Sequence, residues 1–380
     1  PMLTSPQGTG VFSVVFVPAN IVASIGNAIV ASSDGGATWA TNLQVSGARI
    51  VRMSHNGTEL LASDGTSCFY STNLFATQFL CDAGLPAPGT FRGFSSLTSV
   101  YDGFSERHRA LLNQNDIGVR LLDGFTDWTI ANTNLHAESV RGLAFAPNDS
   151  RRMVTGRFPG GSGRGGAIST SNAGASWTFG LEDRTTFLRS FEFDHTTGAD
   201  IATTRVYAAG APKVYLGRRS AGVFKSVDGG ATWDALDGGL PTTTSGSGIV
   251  VVQLPSVRKV LLDKRSCANP PAAGPCVTGP LNTVYAISDG GTALPGSNVI
   301  KSTQGGENWM PTGMTLPQPI EGAGWYESLS PVDLEIDPSS GALYLSTFAL
   351  AYNDDDGSTR IPTIASGVFR SADGGATWTR

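Results

Sequence analysis

One octapeptide recurs along this chain of 380 residues and constrains its fold more than any other feature. It runs from Ser32 to Trp39 as Ser-Ser-Asp-Gly-Gly-Ala-Thr-Trp, and returns almost unchanged from Ser226 to Trp233 and from Ser371 to Trp378. Looser copies run from Thr170 to Trp177, with Asn172 replacing the aspartate, and from Ser302 to Trp309, with Gln304 in that place. Two degenerate copies run from Leu121 to Trp128, keeping Asp123 and Trp128, and from Ser71 to Gln78, keeping Ser71, Asn73 and Thr77. Successive copies start 39 to 76 residues apart, a period typical of solenoids and propellers rather than of a single sandwich.

The octapeptide has the chemistry of a hairpin turn. Asp34, Asp228 and Asp373 can accept backbone N–H groups within the turn. The glycines supply positive φ, and the closing tryptophan offers a large apolar body for packing between sheets. The motif resembles the Asp-box (BNR) repeat, S-x-D-x-G-x-T-W. That repeat occurs in bacterial sialidases, xyloglucan-hydrolysing glycosidases, sortilin-type receptors and photosystem II assembly factors. The resemblance implies an all-β, seven-bladed β-propeller of four-stranded antiparallel blades, and it specifies a fold element rather than an activity. It also implies structural roles for Asp34, Trp39, Asp123, Trp128, Asn172, Trp177, Asp228, Trp233, Trp309, Asp373 and Trp378. The blades are read as roughly 1–44, 45–83, 84–132, 133–182, 183–238, 239–311 and 312–380 of a single domain. In the fourth, strands are expected at 141–147, 152–158, 166–171 and 176–181; in the last, at 332–337, 343–349 and 367–372.

Composition agrees with an all-β reading. Apolar residues make up 40% and charged ones 15%, which is not the pattern of a disordered chain. Short β-branched runs alternate with Gly, Asn, Asp and Pro, and no long 3.6-residue period appears. The net charge of −5 argues against nucleic acid, and no apolar run is long enough for a membrane-spanning helix. Residues Pro1 to Ser5 lack a basic or apolar leader pattern, so any signal peptide is read as already removed.

The four cysteines form two local pairs, Cys68 with Cys81 and Cys267 with Cys276. Neither pair has a zinc-type spacing, so both are read as disulfides in an extracellular or periplasmic protein. Directly paired positions of an antiparallel hairpin have residue numbers of constant sum. That sum is 149 for Ser71 with Gln78 and for Cys68 with Cys81, which places the cysteines opposite each other. The disulfide is expected to replace turn chemistry that this degenerate copy lacks.

With strands A to D in each blade, the D–A and B–C connections share one face, and the octapeptide turns share the other with the A–B connections. The D–A/B–C face carries long connections in the later blades, including 157–165, 212–221, 311–331 and 350–366. There Trp325, Tyr326 and Glu327 form a candidate sugar-stacking platform with a carboxylate beside it. Arg157, Arg164, Arg218 and Arg219, together with Lys213, are candidates for an acidic glycan or phosphate. Asp354 and Asp356 are weighed as calcium ligands, but Gly357 departs from the usual spacing, and no cofactor or metal is expected.

Catalytic motifs of the related families do not transfer. Arg360-Ile361-Pro362 follows Thr359 and lies nine residues before Ser371, whereas the sialidase motif precedes most of its propeller. The aspartate-bearing stretch of the xyloglucanases does not occur. Three readings follow. The first is a secreted propeller that binds a glycan or extracellular protein through the D–A/B–C face. The second is a glycoside hydrolase or polysaccharide lyase drawing on Glu321, Glu327, Asp102, Glu182 or Asp183. The third is a structural or assembly subunit of a surface complex.

Overall fold

The computed structural model describes all residues outside 1–10, 18, 45–51, 56–58, 64–66, 82–93, 103–106, 115–117, 124–127, 134, 136–139, 148, 158–164, 184–185, 198–203, 213–221, 237, 239, 241–242, 245–251, 254–255, 273, 289–296, 317–319, 323–324 and 354–365. The described residues form seven four-stranded sheets and one two-stranded pair. Sheet 1 comprises Val11–Val17, Asn20–Ile25, Ala28–Ser32 and Ala40–Gln44. Sheet 2 comprises Arg52–His55, Leu60–Ser63, Cys68–Ser71 and Phe79–Leu80, and sheet 3 Phe94–Asp102, Arg107–Gln114, Gly118–Asp123 and Trp128–Ile130. Sheet 4 is Val140–Ala146, Asp149–Arg157, Gly165–Thr170 and Thr178–Asp183; sheet 5 is Thr186–Phe193, Val206–Pro212, Gly222–Ser226 and Asp234–Ala235. Sheet 6 is Val257–Leu262, Val284–Ser288, Val299–Ser302 and Met310–Pro311. Within each of these, consecutive strands pair, so the A–B and C–D turns share one rim and the B–C turn lies at the other.

Sheet 7 is built differently. It contains Ile320–Gly322, Trp325–Ile336, Leu343–Asn353 and Val368–Ser371 in that order. Trp325–Ile336 takes the place of strand A, and Ile320–Gly322 is an extra strand on its other side. The outermost position is reduced to a single bridge between Arg370 and Thr379. The connection expected as a loop over 311–331 is therefore largely strand, and strand B runs on to Asn353. Thr243–Thr244 and Val252–Gln253 form another short hairpin, between sheets 5 and 6.

The chain packs into two compact units, one of residues 1–80, 289–299 and 311–380, the other of 81–288 and 300–310. In the first, Val-Phe-Ser-Val-Val-Phe-Val of 11–17 is a near-continuous apolar run because both its faces are covered. Val11 and Val14 pack with Tyr344 and Val368 of sheet 7, while Val15 packs with Met53, Leu60 and Phe75 of sheet 2. Phe16 meets Tyr344 edge-on at 4.9 Å. In the second unit, Val140, Leu143, Phe145 and Ile168 of sheet 4 pack with Val119 of sheet 3, and Val154 and Ala167 pack with Leu188, Phe191 and Phe224 of sheet 5.

The octapeptide turns share one hydrogen-bond pattern. Ser226 Oγ donates to Asp228 Oδ1 (2.7 Å) and accepts from Gly230 N (2.8 Å). Asp228 accepts Thr232 N on Oδ1 (2.8 Å) and Thr232 Oγ1 on Oδ2 (2.6 Å). The same bonds recur around Asp34 and Asp373. The hydroxyls of Thr38 and Thr377 hold these two carboxyls far below the usual carboxylate range.

The degenerate copy of sheet 2 keeps this chemistry. Asn73 Oδ1 accepts Thr77 N (2.9 Å), and Ser71 Oγ accepts Phe75 N (2.9 Å). Leu74 and Phe75 occupy the two glycine places at φ +59° and +65°, and the Phe75 ring is fully buried. The disulfide therefore does not replace missing turn bonds; the turn is complete, and Phe75 supplies the apolar body. All four cysteines are bonded, Cys267 to Cys276 and Cys68 to Cys81. Phe69 pairs with Leu80 and Tyr70 with Phe79, which is the register that sets Cys68 opposite Cys81.

The tryptophans that close octapeptides divide into two kinds. Trp128, Trp177 and Trp309 are buried, and their indole N–H groups donate to Cys81 O, Ala131 O and Leu236 O. Trp39, Trp233 and Trp378 are half-buried and donate to the carbonyls of Gly36, Gly230 and Gly375 in their own turns. Before two of these turns the preceding sheet presses in with a glycine. A Cβ on Gly180 would lie 1.9 Å from Gly230 O, and one on Gly313 1.9 Å from Ala376 O.

Candidate binding rim

Among the described residues, strand A carries one extra, bulged residue in six of the seven sheets: Phe12, Ser95, Gly142, Arg189, Arg258 and Val332. A bulge bends its strand and re-aims the neighbouring side chains. In sheets 4, 5 and 6 the residue at or just before the bulge is an arginine: Arg141, Arg189 and Arg258. Arg141 and Arg258 are the second residues of strand A and Arg189 is the fourth of eight, all in the half of the strand nearer the D–A/B–C rim.

Two glycines bring strands A of sheets 4 and 5 together. Gly142 has φ +66°, and a Cβ there would sit 2.4 Å from Arg189 O. A Cβ on Gly156 would sit 2.0 Å from Leu188 O and 2.7 Å from Arg141 O. Arg141 and Arg189 are thus neighbours on adjoining inner strands. Burial lowers the Arg141 pKa, and the positive charge of Arg189 lowers it further. Arg120, on strand C of sheet 3, is buried, and that burial lowers its pKa too.

Of the arginines singled out in the sequence, Arg157 is described. It closes strand B of sheet 4, opposite Gly166, and its guanidinium lies 5.6 Å from the Phe179 ring centroid. Gly166, at φ +121°, has no side chain to block that reach. Arg157 and Arg141 lie on opposite faces of sheet 4, because Arg157 pairs with Val140. Glu182 and Asp183 share this rim, ending strand D opposite Gly166 and Gly165. Arg164, Lys213, Arg218, Arg219, Asp354 and Asp356 lie outside the described residues. Among the described residues, no three His, Cys, Asp or Glu side chains gather as a metal site.

Trp325, Tyr326 and Glu327 are not loop residues, as expected above, but the start of a strand. They pair with Gly322, Glu321 and Ile320 on one side and with Asn353, Tyr352 and Ala351 on the other. Backbone pairing on both sides fixes this segment as part of a three-stranded ribbon. Asp102 ends strand A of sheet 3 opposite Arg107, at the rim away from the arginines. Trp325 to Glu327 belong to the first packing unit and the arginines of sheets 4 and 5 to the second.

Sequence reasoning passes over Arg141, Arg189 and Arg258 because they sit inside apolar strands rather than in loops. A signal is present: Arg141-Gly142-Leu143 and Arg189-Ser190-Phe191 put an arginine within one residue of the same strand position in consecutive repeats.

No protein-family model matches the chain, and no curated protein does. Solved structures match it in fold. YCF48 bound to a D1 peptide aligns with a TM-score of 0.50 at 11% identity, covering 86% of this chain and 91% of its own. YCF48 from Cyanidioschyzon merolae gives 0.51 at 13% identity, over 94% and 99%. PorZ, a surface component of the type-IX secretion system of Porphyromonas gingivalis, gives 0.53 at 9% identity; 91% of this chain matches 46% of PorZ. At such identities the likeness shows the fold alone, an all-β propeller with four-stranded antiparallel blades.

Proposed function

We propose that this chain is a secreted Asp-box propeller, one domain of seven blades, that binds an extended, acidic segment of a partner protein on the D–A/B–C rim of sheets 4 and 5. The observation that carries this reading is the apposition of Arg141 and Arg189 on adjoining bulged strands. Two guanidinium groups on adjoining strands present several donors to one carboxylate, and arginine's fork of donors fits such a group. The solved structure of YCF48 with a D1 peptide supports a peptide as the ligand class on this fold. The two disulfides support an oxidising, extracellular or surface setting.

The test uses fluorescent decapeptides of glutamate, of lysine and of alternating serine and glycine, with an oligogalacturonate as the glycan counterpart. Wild-type protein should bind the glutamate peptide, with affinity falling as salt rises. Arg141→Gln with Arg189→Gln should weaken that binding at least tenfold while the circular dichroism spectrum and both disulfides persist. Unchanged binding in the double variant, or a preference for oligogalacturonate over the glutamate peptide, overturns the peptide reading.

A further inference from the structure

His195 sits in the A–B turn of sheet 5, beside the disulfide-closed segment that Cys267 and Cys276 define in the A–B connection of sheet 6. Its Nε2 lies 2.8 Å from Cys276 O, so Nε2 carries the hydrogen and donates it. Its Nδ1 is buried and makes no hydrogen bond among the described residues. Asp194, fully buried, grips the same segment further along. Its Oδ2 accepts Leu281 N (3.0 Å), while Oδ1 accepts Thr196 N (3.0 Å) and Thr196 Oγ1 (2.6 Å). Adjacent residues of one turn thus hold both flanks of the segment after the disulfide. The disulfide itself is covered, with Cys267 8% and Cys276 1% exposed.

We propose that the His195–Cys276 contact is a proton-sensitive latch, which keeps the Cys267–Cys276 loop seated on sheet 5 and releases it on acidification. A proton arriving at His195 can only settle on Nδ1, since Nε2 already carries one. The resulting N–H and its positive charge would then be buried with no acceptor, a state far costlier than a hydrated imidazolium. The charged groups acting on the ring are Lys264, from the sheet 6 turn, which opposes protonation, and Asp194, on its own turn, which favours it. Burial, with Lys264 acting in the same direction, outweighs Asp194 and the hydrogen bond to Cys276 O, which also favours the charged ring, and so lowers the His195 pKa. The neutral ring belongs to the seated loop, so the latch holds above about pH 6.5, the ordinary histidine value, and weakens as pH falls below it. Swinging the ring into water breaks the bond to Cys276 O and uncovers the disulfide.

The two disulfides of one molecule allow an internally referenced test. Full-length protein is treated with a water-soluble phosphine, which gives two electrons to each disulfide and leaves as its oxide, while water supplies the oxide's oxygen and the two thiol protons. Trapped thiols are then mapped by mass spectrometry at pH 7.5 and pH 5.0. The rate at Cys267–Cys276, divided by that at Cys68–Cys81, should rise at least fivefold on acidification. In His195→Gln, whose amide N–H can still reach Cys276 O but cannot titrate, the ratio should stay flat. A flat ratio in wild type, or the same rise in the variant, overturns the latch. If His195→Gln does not fold, the ring titration in wild type, followed by NMR, decides. The ratio must change at the pH where His195 titrates, and a change at any other pH overturns the proposal.

Discussion

The indole N–H of Trp177 donates to the carbonyl of Ala131, 2.8 Å away and three residues past Trp128, which closes the preceding octapeptide. Trp128 reaches Cys81 O, three past Gln78, and Trp309 reaches Leu236 O, three past Trp233, by the same rule. Each is a side-chain rivet from one sheet into the outer strand of the sheet before it.

Trp177→Ala should therefore be more damaging than Trp233→Ala. Trp177 is 4% exposed and its loss leaves both a cavity and an unpaired Ala131 carbonyl, together about 3–5 kcal/mol. Trp233 is half-buried, meets Phe191 at 5.9 Å and spends its N–H within its own turn, so its removal should cost clearly less. Chemical denaturation midpoints compare the two; equal losses would falsify the division of the tryptophans into two kinds.

Asp228→Asn should be nearly neutral at pH 7, within about 1 kcal/mol, because Asn172 already makes the equivalent bonds in sheet 4. Asp228→Ala should cost about 1–3 kcal/mol by orphaning Thr232 N and Ser226 Oγ. Burial alone would raise the Asp228 pKa, but the bonds from Thr232 and Ser226 outweigh it and leave the pKa lowered. With a depressed folded value, the carboxylate's stabilisation is complete above about pH 4 and declines as pH falls. Denaturation midpoints between pH 7 and pH 3 should fall less steeply in the asparagine variant than in wild type.

Ala173→Gly should stabilise the protein by up to about 1 kcal/mol. Ala173 holds the first glycine position of its turn at φ +58°, where an L residue carries a left-handed penalty of about 1–2 kcal/mol, partly offset by glycine's greater freedom when unfolded. A thermal midpoint below wild type would contradict this.

Gly180→Ala should destabilise by about 1–3 kcal/mol or more, although the site is on an outer strand where alanine is ordinarily harmless. The added Cβ would stand 1.9 Å from Gly230 O and 3.0 Å from Trp233 Nε1. Far-ultraviolet spectra should stay native while the denaturation midpoint drops.

Much of the fold is legible because one short motif fixes two strands and the turn between them. In sheet 4 the expected strands of 141–147 and 166–171 fall within a residue of Val140–Ala146 and Gly165–Thr170. The Cys68–Cys81 register follows from hairpin arithmetic alone. What fails lies between motifs. The 311–331 stretch reads as loop because Pro311, Pro317, Pro319 and Pro331 punctuate it. Yet Pro311 ends one strand and Pro331 adjoins the bulge of another, places where proline does not prevent pairing. Phe75 is invisible as a core residue because a phenylalanine at positive φ contradicts its local propensity, and only packing against sheet 1 offsets that cost. The arginine pair escapes notice for a related reason: charge inside an apolar strand reads as an exposed face until a bulge turns it toward a neighbouring strand.

The second glycine of the turn also limits how such a chain can be rearranged. Gly230 admits Gly180 of the sheet before it, Gly306 lies under Leu236, and Gly174 lies under Ala131, with a Cβ at these last two reaching within 2.4 and 2.7 Å of those side chains. Each turn is cut to one predecessor. A copy of sheet 5 inserted after sheet 3 would present Gly230 to Ala131 instead of Gly180, and the open carbonyl of Ala131 would face an indole already committed to its own turn. Exchanges that keep each sheet beside its original predecessor should succeed where shuffling of individual sheets fails, so the smallest exchangeable module of this architecture is a junction and not a blade.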